Sequence, residues 1–146
     1  MFTDCKSLYS VEKFKNINIK YLKTINGLFL GCSSLSYIED ISKTNNISGM
    51  FYSCSSLEEL PDISKWDVKE VKNMSFLFSK CSKIQYLPDI SYWKTNKIED
   101  IKKMFSECHN LLSLPDISKW STNNIKNIER LFFHCSSLKE LPDISK

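Results

Sequence analysis

A chain of 146 residues with 42% hydrophobic and 12% aromatic content can bury one continuous core and is too apolar to stay disordered. Its 20 basic and 17 acidic residues are interspersed, for a net charge of +3, without the like-charge runs that mark a nucleic-acid arm or an acidic tail. That charge pattern implies no nucleic-acid partner, and with no stretch of 18 apolar residues to offer a membrane span, no direct membrane insertion is expected.

The opening, Met1-Phe2-Thr3-Asp4-Cys5, carries an acid and no apolar run, unlike a signal peptide. It matches Met50-Phe51-Tyr52-Ser53-Cys54 and Met104-Phe105-Ser106-Glu107-Cys108, so Met1 occupies a repeat position. The closing Leu141-Pro142-Asp143-Ile144-Ser145-Lys146 stops inside the same unit, and the chain reads as a fragment of a longer array. Between the ends, cysteines at 5, 32, 54, 81, 108 and 135 rule off steps of 27, 22, 27, 27 and 27 residues. Residues 1–146 therefore form a single repeat domain with turns starting near Cys5, Cys32, Cys54, Cys81, Cys108 and Cys135. The short turn loses its residues after Asp40-Ile41-Ser42, at Lys43 to Ser48, and is expected to bend or pinch the stack.

Each unit starts with apolar positions three, six and nine residues after the cysteine, as in Leu57, Leu60 and Ile63 after Cys54. The segment Leu57 to Asp62 reads as a short strand ended by Pro61, with Pro88, Pro115 and Pro142 in the same role. The second half changes to a helical spacing. Val71, Met74, Leu77, Phe78 and Cys81 share one face of a 3.6-residue period, as do Ile98, Ile101, Met104, Phe105 and Cys108, and Ile125, Ile128, Leu131, Phe132 and Cys135. Candidate N-caps are Asp67, Thr95 or Asn96, and Thr122 to Asn124. The expectation is an α/β solenoid of the leucine-rich-repeat type with about five to six turns, short parallel strands on one face and short helices on the other.

The pattern C-x-x-L-x-x-L-P-D-I-S-x-W followed by V/I-x-x-M/I-x-x-L/M-F-x-x-C resembles the BspA-like branch of leucine-rich-repeat surface proteins over nearly the whole chain. The resemblance implies a protein at the cell surface or secreted, used for adhesion or protein binding and without catalytic residues. Two features depart from it: Pro follows the second Leu in the last four units, and one turn is contracted.

The conspicuous residues mostly have structural readings. All six cysteines hold one apolar slot, with no C-x-x-C pair and no zinc spacing, and read as an inert ladder of free thiols. Unpaired cysteines favour a cytoplasmic location, the alternative to the surface that the resemblance implies. His109 and His134 read as surface residues. Asp40, Asp62, Asp89, Asp116 and Asp143 form a column with Ser two positions on, read as turn chemistry over a faint calcium site. Repulsion along it is expected to be eased by Lys43, Lys65, Lys119 and Lys146. Trp66, Trp93 and Trp120 stand either as edge packing or as an aromatic groove for a glycan or peptide. Glu58 and Glu59, adjacent on a strand, are expected to face opposite ways. With no phosphate loop and no G-x-S-x-G or H-E-x-x-H, no enzyme, cofactor or metal is expected.

What the repeat does not dictate is the pair of columns four and five residues after each cysteine. From these the candidate partner-binding residues are Tyr37, Glu58, Glu59, Gln85, Tyr86, Ser113 and Glu140, for a protein or host-surface glycan. The alternative is a structural spacer or scaffold that associates end to end through its open terminal turns.

Overall fold

The computed structural model describes residues 2–8, 27–32, 34–35, 44–141 and 143. The expectations for Tyr37, for Pro142 and for the segment from Asp40 to Lys43 lie outside the described residues.

The chain winds in coils that lie on one another, and hydrogen bonds between coils set the register. The N–H groups of Met74, Phe76, Phe78 and Lys80 donate to the carbonyls of Asp100, Lys102, Met104 and Ser106, 26 residues further on. The same row runs from Ile47, Gly49, Phe51 and Ser53 to the coil of Asn73, and from Ile101, Lys103, Phe105 and Glu107 to the coil of Asn127. The intervening N–H groups of Leu77, Ser79 and Cys81 turn back to the carbonyls of Met74, Phe76 and Phe78, closing tight turns.

This backbone overturns the expected α/β solenoid. Among the described residues there is no helix, and regular pairing is confined to isolated parallel bridges joining Asn46 to Asn73, Asn73 to Asp100 and Asp100 to Asn127. An α-helix commits each N–H to the carbonyl four residues back, whereas here every second N–H is claimed by the next coil. Phe76, Lys80, Lys103, Glu107, Arg130 and His134 also have φ between 52° and 64°, the left-handed region that a right-handed helix cannot contain. The expected caps hold single turns: Ile98 N–H donates to the Thr95 carbonyl and Ile125 N–H to that of Thr122. The helical spacing is nonetheless real. A run of tight turns buries the same set as a helix would, and Val71, Met74, Leu77, Phe78 and Cys81 are fully enclosed.

The expected strand is absent for a different reason. In its column the coils share one bond each, Leu112 N–H to the Gln85 carbonyl at 3.0 Å and Lys139 N–H to that of Leu112 at 3.4 Å. Pro61, Pro88 and Pro115 have no N–H with which to extend the pairing.

Ring ladders form the core. Phe78 stacks on Phe51 and Phe105 at 5.7 Å, and Phe105 on Phe132 at 5.6 Å, with planes within 15° of parallel. Each fully buried ring, as at Phe51, Phe78 and Phe105, contributes about 1.5–3 kcal/mol. Trp66, Trp93 and Trp120 stack at 6.2 and 6.0 Å, all buried. Each later indole N–H donates 3.0 Å to a carbonyl of the coil below, Trp93 to Ile63 and Trp120 to Ile90. The tryptophans are therefore core, and the aromatic-groove reading falls.

The contracted turn leaves the ladder in register. Phe29 N–H still reaches the Met50 carbonyl and Gly31 N–H that of Tyr52, now 21 residues away. The contraction coincides with looser ring stacking: Phe29 and Phe51 lie 6.3 Å apart and tilted by 24°.

Candidate functional site

A groove of about 680 Å³ opens beside the coil corners, between the units of Cys54 and Cys81. Leu60, Leu87 and Pro88 give it an apolar wall, and Glu58, Glu59, Lys83, Gln85, Tyr86 and Asn110 line it with polar groups. The local backbone explains why these side chains gather. The turn closed by Leu57 N–H on the Cys54 carbonyl sends Leu57 inward. The chain then bends before Leu60 returns to the core, so Glu58 and Glu59 both stay outside. The expectation that they face opposite ways fails because it assumed an extended strand.

Lys83 Nζ pairs with the Glu58 carboxylate at 3.4 Å, while Glu59 has no ion-pair partner among the described residues. The groove thus carries one net negative charge from Glu58, Glu59 and Lys83. Tyr86 stands 60% exposed above it. At the same level the coils are unzipped. The next coil pairs Leu112 N–H with the Gln85 carbonyl, but among the described residues Gln85 N–H meets no backbone carbonyl of the coil below.

Four of the expected partner-binding residues, Glu58, Glu59, Gln85 and Tyr86, therefore come together. Ser113 and Glu140 line a second hollow of about 480 Å³, with Asp116 and Asp143, one and two coils further along. Lys83 and Asn110 were missed. They sit two residues after Cys81 and Cys108, in a column that is Ser at positions 7, 34, 56 and 137, so the same variability would have found them.

The other candidate chemistry is accounted for by the stack. Among the described residues no group of three or more His, Cys, Asp or Glu side chains is arranged to hold a metal ion. Asp62 accepts from the Ser64 N–H at 3.0 Å and the Ser64 hydroxyl at 2.6 Å. Asp89 and Asp116 accept from Ser91 and Ser118 N–H, each at 3.0 Å. These bonds hold the Asp62 and Asp89 carboxyls below the usual range. As expected, Lys65 and Lys119 also favour the charged forms of Asp62 and Asp89; Lys119 lies over the Tyr92 ring at 5.3 Å, and further ion pairs link neighbouring coils, as in Lys97 to Glu70 at 2.7 Å and Lys126 to Glu99 at 2.6 Å. All six cysteines are free thiols, four of them buried. His109 and His134 are exposed, with ring centroids 6.5 Å apart.

A family model described as "Mycoplasma protein of unknown function, DUF285" matches residues 1–87 and, in a second overlapping copy, 23–145. No curated protein matches the chain. Among solved structures, a leucine-rich repeat protein from Bacteroides ovatus is 18% identical over 84% of this chain and 53% of its own, with a TM-score of 0.25. The chain spans about half the length of that protein, and a likeness this slight carries no argument.

Proposed function

We propose, from the premise that the chain belongs to the DUF285 family, that it is a non-catalytic repeat module that binds a protein through the groove at Glu59 and Tyr86. One observation carries this reading. Residues that the stack does not require, and that differ from coil to coil, converge on one hollow of about 680 Å³ with an exposed aromatic at its edge. Exposed Tyr beside desolvated apolar surface is the usual make-up of a recognition patch. The sequence pattern's likeness to BspA-like surface proteins supports adhesion at the cell surface as the setting. The thiols do not oppose it, because Cys81 and Cys108 are enclosed and held protonated by burial.

The test is to pan a displayed peptide library against the chain and rebind the selected peptides to a Glu59→Ala, Tyr86→Ala double variant. Binding is expected to fall at least about tenfold, as for loss of a hot-spot pair, with an unchanged far-UV CD spectrum. Equal affinity for the variant would remove the groove from the reading.

A further inference from the structure

The groove has three properties that together select a kind of occupant. Its charge is uncompensated at one place, Glu59, because Lys83 is already engaged with Glu58 at 3.4 Å. Beside it stands the Tyr86 ring, 60% exposed, a face on which a cation can lie. And the backbone between these coils is open: among the described residues Gln85 N–H has no backbone carbonyl from the coil below, whereas one coil on the corresponding Leu112 N–H is taken by Gln85 at 3.0 Å.

We propose, resting on the protein-binding reading above, that the groove takes an extended peptide segment carrying an arginine or lysine. The cationic side chain lies between the Glu59 carboxylate and the Tyr86 ring, and a peptide carbonyl accepts the Gln85 N–H. Charge complementarity argues for a basic segment over an acidic one, since an acidic side chain here would meet Glu59 while Lys83, the cation among the described lining residues, is paired with Glu58. The open N–H argues for extended backbone, the conformation that offers carbonyls to a neighbouring edge.

The experiment uses the whole chain and the probe acetyl-Gly-Arg-Gly-Arg-Gly-amide, followed by calorimetry. Saturable 1:1 binding is expected, weakened about tenfold when both arginines are replaced by the neutral isostere citrulline, and by a similar factor in Glu59→Gln. Tyr86→Leu, which keeps apolar bulk, is expected to weaken it about threefold. Raising the salt from low to high ionic strength weakens the arginine peptide and leaves the citrulline peptide as it was. Equal affinity for the two peptides, or an unaffected Glu59→Gln variant, overturns the proposal. The two readings fail separately. Selected library peptides that lack Lys and Arg yet need Tyr86 leave protein binding standing and remove the basic segment, while a library that yields no binder removes both.

Discussion

The thiol of Cys81 donates to the carbonyl oxygen of Phe51 in the coil below, across 3.1 Å. The contact recurs in each coil: Cys54 to Phe29 at 3.2 Å, Cys108 to Phe78 at 3.1 Å and Cys135 to Phe105 at 3.0 Å. Each of these cysteines also donates its backbone N–H to the Phe three residues earlier, so the slot ties one coil internally and to its neighbour. A Sγ–H can do this only while protonated.

Burial pushes the Cys32 thiol up to about 11 and Cys108 up to about 12, and raises Cys81 and Cys135 in the same direction. A raised folded-state pKa contributes stability that is intact below the unfolded value, near 9, and is lost as pH rises toward the folded values. The urea midpoint is therefore expected to hold from pH 7 to about 8.5 and to fall between pH 9 and about 12. In Ellman's assay at pH 8 the exposed Cys5 reacts first, and Cys32, Cys54, Cys81 and Cys108 react only at the rate of unfolding. Rapid native labelling of those four would contradict the ladder.

Ser53 has φ of 62° and Gly49 has φ of 59°, both in the row that donates to the next coil. Left-handed backbone costs a residue with a Cβ about 1–2 kcal/mol, a cost glycine escapes. Ser53→Gly is thus expected to stabilise the chain by about 1 kcal/mol and Gly49→Ala to destabilise it by about 1–2 kcal/mol. The nearest atom to the new Cβ in Gly49→Ala is Tyr52 Cβ at 3.6 Å, an ordinary contact, so that loss isolates the backbone term. Chemical denaturation of both variants decides the matter. A helix in this segment would make Ser53→Gly destabilising.

The repeat length, the core and most of the groove were legible in the sequence, because a stack repeats its buried positions and leaves its exposed ones to vary. The backbone that carries them was legible only in part. Gly27 and Gly49 align with Phe76, Lys103 and Arg130, and Gly31 aligns with Asp4, Ser53, Lys80, Glu107 and His134. Both columns have positive φ wherever described. Glycine twice at one position of a supposed helix was the available sign against it, since glycine inside a helix is costly. Phe76 and Lys103 concealed the sign, because neither residue type announces left-handed backbone. Nothing in residue type marks the unzipped Gln85 N–H either, since that opening depends on how two coils separate.

Trp93 is stacked between two indoles and donates its ring N–H to Ile63, so two losses can be separated at one position. Trp93→Ala is expected to cost about 3–5 kcal/mol, as for a large aromatic removed from a packed core. Trp93→Phe keeps a ring in the ladder but forfeits the bond and some volume, for about 1–2 kcal/mol. Denaturation midpoints measure both. Equal losses would mean that the indole N–H, and not the stack, carries the position.

Acid acts on the coils through two kinds of carboxylate. Asp62 and Asp89 are held low first by the hydroxyls of Ser64 and Ser91, local bonds that salt does not screen. Glu99 and Glu129 are held low by Lys126 and Lys102, exposed pairs that salt does screen. All four shifts are downward, so the stability they add is present above the ordinary carboxyl range, near pH 4 to 4.5, and is lost as pH falls through the lower folded values. Unfolding curves between pH 5 and about 2 are therefore expected to show a loss with a salt-sensitive and a salt-resistant part. Ser64→Ala, Ser91→Ala is expected to shrink the resistant part, because the Asp carboxyls lose the hydroxyl bonds that favour their charged form and keep only those from the backbone N–H groups. If the acid loss in that double variant stays as large at high salt as in the parent chain, the Asp–Ser hydroxyl bonds do not carry the salt-resistant part.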